Sequence, residues 1–245
     1  MIIDVALSPA SPVRKADAVV VVDVLRASST ITSALDRGAD DVIVADAIEE
    51  ALRLKARHPD RLLCGEREGR PPPGFDHGNS PLELSALDLR GRRLILATAN
   101  GTPLLHRYAG TRVLLAGSLR NAAAVVGAAV SSIDREESTL LIACAGLSGS
   151  GRASLEDTFT AGAMVGAAAL IVGDASLRDE ARIALDVYRS YEGDGLRAFG
   201  ESSHGRYLAS IGYEDDLDYC AALDASHSVP VARLTDGILH LGPLR

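Results

Sequence analysis

AVVVVDVLRASSTITSAL, residues Ala18 to Leu35, is the stretch whose reading decides the fold. Its first five residues, Ala18 to Val22, are apolar without alternation, the pattern of a strand buried on both faces. From Ser28 to Leu35 the spacing becomes helical. Between the two lies a polar turn carrying Asp23 and Arg26. A buried strand that ends in such a turn and runs into a helix is the repeating unit of a parallel α/β sheet.

The same alternation continues outward. Strands are expected at Val42 to Ala45, Leu62 to Cys64, Leu94 to Ala97, Val113 to Ala116 and Thr139 to Ala143. Helices are expected at Ile48 to Arg57 (stopped by Pro59), Thr102 to Tyr108, Asn121 to Ser132 and Leu155 to Ile171. The final third reads as helices at Leu177 to Tyr191, Gly205 to Ile211 and Asp216 to Leu223. It closes on Val229 to Leu234, a turn at Asp236-Gly237, and Ile238 to Leu241, a hairpin signal. The expectation is an α/β fold: a three-layer arrangement with a largely parallel sheet, a helical C-terminal third and a terminal hairpin. With neither a Gly/Ser-rich linker nor a repeat, residues 1–245 read as one unit, any subdivision falling near 150–175.

The bulk chemistry narrows the function. The chain of 245 residues is 47% hydrophobic and 24% charged, with a net charge of −8 and only two lysines, Lys15 and Lys55. Without a basic cluster it is not expected to bind nucleic acid. The N-terminus lacks the basic and apolar regions of a signal peptide, and the apolar run Ala161 to Val172 is too short to span a bilayer. No membrane contact is expected, and the expected compartment is the cytoplasm. Cys64, Cys144 and Cys220 show no disulfide or zinc spacing. A homo-oligomer is left open.

Gly65 to Pro81, GEREGRPPPGFDHGNSP, breaks the alternation. Its three consecutive prolines and added glycines forbid a helix or central strand, and a rigid loop of this length inside a domain is often functional. Four strand-to-helix junctions are also unusual: Asp23 to Thr30, Thr98 to Thr102, Gly117 to Asn121 and Cys144 to Gly151. In a parallel sheet such junctions share one edge, and each helix start favours an anion. Ser28, Ser29, Gly101, Thr102, Asn121, Gly146 and Gly149 are therefore candidate phosphate contacts, although Ser, Thr and Asn at helix starts also serve as plain caps.

Asp23 ends a buried strand, where a carboxylate calls for a metal, a cation or hydrogen bonds. It reads as a metal ligand or a catalytic acid/base, with Arg26 either binding an anion or pairing with Asp23. Glu66, Asp76, Glu156 and Asp157 are the other notable carboxylates. The Glu156-Asp157 pair suits a helix dipole and also suits Mg²⁺, which takes one or two carboxylates. Cys64 to Arg70 has the C-x5-R spacing of thiolate phosphatases, but Glu66 and Glu68 inside that loop would repel phosphate. His77 and His204 read as loop hydrogen-bonders that could also serve as an acid or base.

Five segments together are similar to the 2-phosphosulfolactate phosphatases: VVVVDVLRASSTITSAL, GEREGRPPPGFDHGNSP, ANGTPL, GSLRNAAAV and CAGLSGSGRASLEDTFTAGAMV, in family order from about Ala18 to Val165. Ser203-His204-Gly205 is a weaker echo. The resemblance implies Mg²⁺-dependent hydrolysis of a small anionic phosphorylated substrate, 2-phospho-3-sulfolactate, to 3-sulfolactate and phosphate in coenzyme M biosynthesis. Asp23, Arg26 and Ser28 match the first motif, and Glu66, Arg67, Asp76 and Asn79 the second. Asn100, Asn121, Gly146, Glu156 and Asp157 match the later ones. On this reading Asp23, Arg26, Glu66 and Arg67 are catalytic, and Asp23, Asp76, Glu156 and Asp157 are candidate metal ligands. Water oriented by Asp23 or Glu66 would attack phosphorus, with a phosphoryl group on Asp23 as the competing route. Arg120 is a further source of positive charge.

Overall fold

A computed structural model describes residues 1–134, 137–147 and 150–244. Among the described residues ten strands form one sheet: β1 (Ile2–Ala6), β2 (Ala18–Val22), β3 (Asp41–Ala45), β4 (Leu62–Gly65), β5 (Arg93–Ala97), β6 (Val113–Gly117), β7 (Thr139–Cys144), β8 (Ser176–Leu177), β9 (Pro230–Thr235) and β10 (Ile238–Pro243). Their order across the sheet is β4-β5-β3-β10-β9-β6-β2-β7-β1-β8. Six of the nine neighbouring pairs are parallel. The α/β class and the largely parallel sheet expected from the apolar runs are both present.

The hairpin sits where periodicity could not place it. β9 and β10 lie in the middle of the sheet, antiparallel to each other, to β6 and to β3. Three antiparallel steps in succession reverse the strand direction, so β3, β4 and β5 run opposite to β6, β2, β7 and β1. The expectation that all strand-to-helix junctions share one edge is thereby corrected. The N-terminal Ile2–Ala6, which carried no strand expectation, pairs with β7, and Pro81–Ser85 and Gly195–Glu201 are further helices not foreseen.

Helices cover both faces. Val20 and Val22 join a core with α5 (Ala122–Ser131), α6 (Leu155–Val172), α7 (Asp179–Ser190) and α8 (Gly195–Glu201). Val19 and Val21, one residue out of phase, join Val42, Val44, Leu94 and Leu96 around α1 (Ala27–Asp36) and α4 (Gly101–Arg107). A single apolar cluster thus holds strands from both halves, and the sheet wraps its inner face around α1 and α4. α2 (Ile48–Arg57) covers the outer face of β3, β4 and β5. The remaining elements are α3 (Pro81–Ser85), α9 (Ser203–Ser210) and α10 (Glu214–Ala221).

By length and composition α6 could cross a membrane, yet 61% of it is buried inside the fold. Its first half is enclosed on all sides, as expected of a core helix. Gly162 permits the closest approach, since a Cβ there would stand 2.1 Å from the Ala184 carbonyl oxygen of α7. At Gly166, one turn on, the nearest atom would be Leu185 Cδ1 at 3.5 Å, an ordinary contact. Gly162→Ala should therefore force α6 and α7 apart and cost about 1–3 kcal/mol. Gly166→Ala should be neutral or stabilise by up to about 1 kcal/mol through helix propensity. Urea unfolding of the two variants checks the contrast, which equal midpoints would contradict.

Candidate active site

A cavity of about 520 Å³ opens where the two halves of the sheet face each other. From the first motif come Asp23, Leu25 and Arg26, and from the end of β3 comes Asp46. The loop after β4 supplies Glu66 to Gly69 and Asn79, and the turn after β5 supplies Thr98, Ala99 and Asn100. His204 and Tyr207 of α9 close one side. The volume suits a small metabolite.

Asp23 is the buried centre of this arrangement. Its Oδ1 accepts the Ala27 N–H of α1 at 3.4 Å, and its carboxylate also accepts the Gly101 amide that opens α4. Glycine is required at 101, because a Cβ would lie 2.6 Å from Asp23 Oδ2. Burial and the nearby Glu66 charge push Asp23 up to about 7, against the pull of the two amides. Glu66 is pinned in turn: Oε1 accepts from Ala99 N–H at 2.8 Å and Oε2 from Gly69 N–H at 2.9 Å.

Arg26 is held on three sides. Its Nη1 donates to Asp216 Oδ2 at 2.7 Å, its Nη2 donates to the Gly69 carbonyl at 2.6 Å, and its guanidinium lies 4.2 Å from the centre of the Tyr213 ring. The Arg26–Asp216 pair is almost wholly buried, so Asp216 offsets much of the positive charge. Arg67, by contrast, is exposed at the cavity mouth. Among the described residues, four carboxylates, Asp23, Asp46, Glu66 and Glu68, thus meet two arginines.

The expected residues divide. Asp23, Arg26, Glu66, Arg67, Asn79 and Asn100 line the cavity together. Ser28 and Ser29 turn inward, donating to the carbonyls of Asp23 and Val24 at 2.8 Å, and so build the turn. Thr102 exchanges hydrogen bonds with Thr98, while Asn121 accepts from Ser118 N–H and donates to the Ser228 carbonyl. Gly146 donates its N–H to Asp157 Oδ2 at 2.9 Å, and Asp157 Oδ1 accepts from Val24 N–H at the same distance. Asp157 thereby ties α6 to the ends of β2 and β7, and burial raises it well above the usual carboxylate range. Glu156 is also raised by burial, and its Oε2 has no hydrogen-bond partner among the described residues. Asp76 lies outside the cavity, its Oδ2 accepting from Leu63 N–H at 2.8 Å and from Lys55 at 2.9 Å. Arg120 is engaged elsewhere, donating to the Tyr219 carbonyl. Gly149 lies outside the described residues. The expected anion site of converging helix starts is therefore filled largely by the protein's own side chains.

His204 and Asp46 are the cavity residues that sequence reasoning underrated. His204 had a signal, the Ser203-His204-Gly205 echo, but Asp46 had none. Cys64 is fully buried, and burial pushes its thiol up to about 12, so it is no thiolate at neutral pH.

The donor set admits a hard cation. Asp23 and Glu66 repel each other across the cavity, and Asn79 Oδ1 is buried without a partner among the described residues. Among the described residues no three His, Cys, Asp or Glu side chains form a metal cage. An ion that keeps most of its waters and binds through one or two carboxylates needs no such cage.

Known proteins are similar to this chain over most of its length. A family model described as 2-phosphosulpholactate phosphatase matches residues 6–235. A Thermotoga petrophila protein named probable 2-phosphosulfolactate phosphatase is 41% identical over 239 residues, covering 98% of each chain. Proteins of the same name from Deinococcus radiodurans and Thermus thermophilus are each 40% identical. They cover 87% of both chains, and 89% of this chain with 88% of the relative, respectively.

Two outcomes follow from the geometry. In chelator, the fold keeps Asp23 protonated to about pH 7, whereas an unfolded Asp ionises near 3.8. Between those values the folded state binds more protons, so this group makes stability fall as pH rises. Asp23→Asn should be more stable than the parent by a few kcal/mol at pH 8, at about 1.4 kcal/mol per pKa unit, with the gap closing near pH 4. Denaturant curves at both pH values check it, and a gap independent of pH would contradict it. Cys64→Ala, if folded, should hydrolyse phosphate esters within about tenfold of the parent rate, since loss of a nucleophile costs orders of magnitude more.

Proposed function

The chain belongs to the 2-phosphosulpholactate phosphatase family, and on that premise we propose that it is a Mg²⁺-dependent hydrolase of 2-phospho-3-sulfolactate, releasing 3-sulfolactate and phosphate. The observation that carries the reading is the charge balance of the cavity. Its four carboxylates face two arginines, one of which is already paired with Asp216. A substrate bearing phosphate, sulfonate and carboxylate would be repelled by that surface. At 4 Å and an effective dielectric near 20, each unit-charge repulsion is about 4 kcal/mol.

Asp23 and Glu66 would hold the cation, with Asn79 Oδ1 as a neutral oxygen donor. Bound there, Mg²⁺ supplies positive charge to the phosphoryl oxygens and lowers the barrier to attack on phosphorus. The remaining work falls to the chain. Arg67, exposed at the mouth, draws in the anionic substrate and offers a planar fork to its sulfonate or carboxylate. Arg26, immobilised by Asp216, Gly69 and Tyr213, presents a fixed charge from the inner wall. Asn100 contributes a polar contact from the turn before α4.

The experiment is phosphate release from 2-phospho-3-sulfolactate and a panel of other phosphate monoesters. Turnover should disappear after dialysis against chelator and return with Mg²⁺. Asp23→Asn should lower kcat by about 10²–10³-fold. Arg67→Ala should raise KM at least about tenfold with a smaller change in kcat, since it removes binding common to ground and transition states. Full turnover in metal-free buffer, or no turnover of any monoester, would contradict the proposal.

A further inference from the structure

α9 brings a histidine to the cavity from the C-terminal third, far in sequence from the other lining residues. Its position is closely set. Ser202 Oγ caps the helix by accepting Gly205 N–H at 2.9 Å. Gly205 has to be glycine, since a Cβ would stand 1.9 Å from the Phe199 carbonyl oxygen. The His204 ring stacks on Tyr207 at 6.1 Å between centroids with 25° between planes. Tyr207 O–H donates to the Glu68 carbonyl at 3.0 Å, tying α9 to the loop that carries Glu66. His204 lines the same cavity as Asp23, Leu25 and Arg26, so its ring faces the turn that carries them.

A neutral imidazole carries one N–H and one nitrogen lone pair. His204 lines the cavity, so a half-buried, oriented proton acceptor stands beside the carboxylates that would hold the cation.

We infer that His204 is the general base of the hydrolysis, accepting a proton from the water that attacks phosphorus. The inference rests on the phosphatase reading above. In the step, a water O–H bond breaks as its oxygen bonds to phosphorus, and the proton passes to the free His204 nitrogen. The bond from phosphorus to the ester oxygen breaks with its electron pair going to that oxygen, which takes a proton from solvent. His204 then returns its proton to solvent.

The surroundings keep the base free. Burial, then the Arg26 guanidinium, lower the His204 pKa, and the Glu66 carboxylate opposes them only in part. The other charged and titratable groups of the cavity are Asp23, Arg67 and Glu68, with Asp46 on the β3 side and Tyr207 under the ring. Glu156 of α6 is buried, and burial raises its carboxyl. An imidazole lowered from its usual value of about 6.5 is neutral at physiological pH.

The test compares the parent with His204→Asn and His204→Ala, using 2-phospho-3-sulfolactate and saturating Mg²⁺. His204→Asn should lose about 10²–10³-fold in kcat with KM within about threefold. The acidic limb of the parent pH–rate profile, below about pH 6.5, should vanish in the variant. Added imidazole should restore part of the rate to His204→Ala. A folded His204→Asn with kcat within about threefold of the parent would overturn the inference. So would a slow variant that keeps the acidic limb and gains nothing from imidazole, since that marks a structural role. A parent that turns over no phosphate ester overturns the phosphatase reading itself, and this inference with it.

Discussion

Everything at the site turns on one buried carboxylate. Asp23 ends β2 in one half of the sheet and accepts the Gly101 amide from the other half. The antiparallel hairpin had reversed strand direction between those halves. Wrapping the sheet around α1 and α4 brings the end of β2 against the end of β5. The contact is tight enough that only glycine fits at 101. A carboxylate in such a place is costly to keep charged, and a second one, Glu66, sits close enough to raise the cost. Two carboxylates so placed repel each other when both are charged, and a cation held between them would offset that repulsion.

The C-terminal helices matter because they finish what this junction begins. Asp216 on α10 pairs with Arg26, and Ser80 donates to the other Asp216 oxygen at 2.7 Å, joining the first motif, the proline-rich loop and α10 in one buried network. Breaking such a pair from one side leaves an unpaired buried charge, which costs far more than the pair contributes. α9 adds His204 and Tyr207 to the same wall. The motif-rich first two thirds of the chain supply the carboxylates and arginines, and the plainer final third holds them in place.

Much of the fold was legible in the chain because its strands are buried on both faces. The runs at 18–22, 42–45, 62–64, 94–97, 113–116 and 139–143 announce themselves by composition alone. Ile2–Ala6 was obscured by Asp4, whose carboxylate is satisfied by Arg14 at 2.7 Å, a partner ten residues away that no local pattern reveals. The hairpin at 230–243 was recognisable as a hairpin, but its insertion between β3 and β6 is a long-range event outside any sequence period. At the site, Asp23, Arg26, Glu66, Arg67, Asn79 and Asn100 were named from motifs and do meet in space. Asp157 and Asp76 looked equally functional, yet one braces two strand ends and the other pairs with Lys55. Residue type and local context are alike for these carboxylates and for Asp23, and only the packing shows which of them face the cavity.

The central claim is that Asp23 and Glu66 together hold a divalent cation. Calorimetric titration of Mg²⁺ into metal-free protein near pH 6.5 tests it most directly, comparing the parent with Glu66→Gln in buffers of different ionisation enthalpy. The account predicts one saturable site in the parent, proton release on binding as Asp23 ionises, and affinity weakened at least about tenfold in Glu66→Gln, or about 1.4 kcal/mol. Equal affinity in the two proteins, or binding without any proton release, would contradict it.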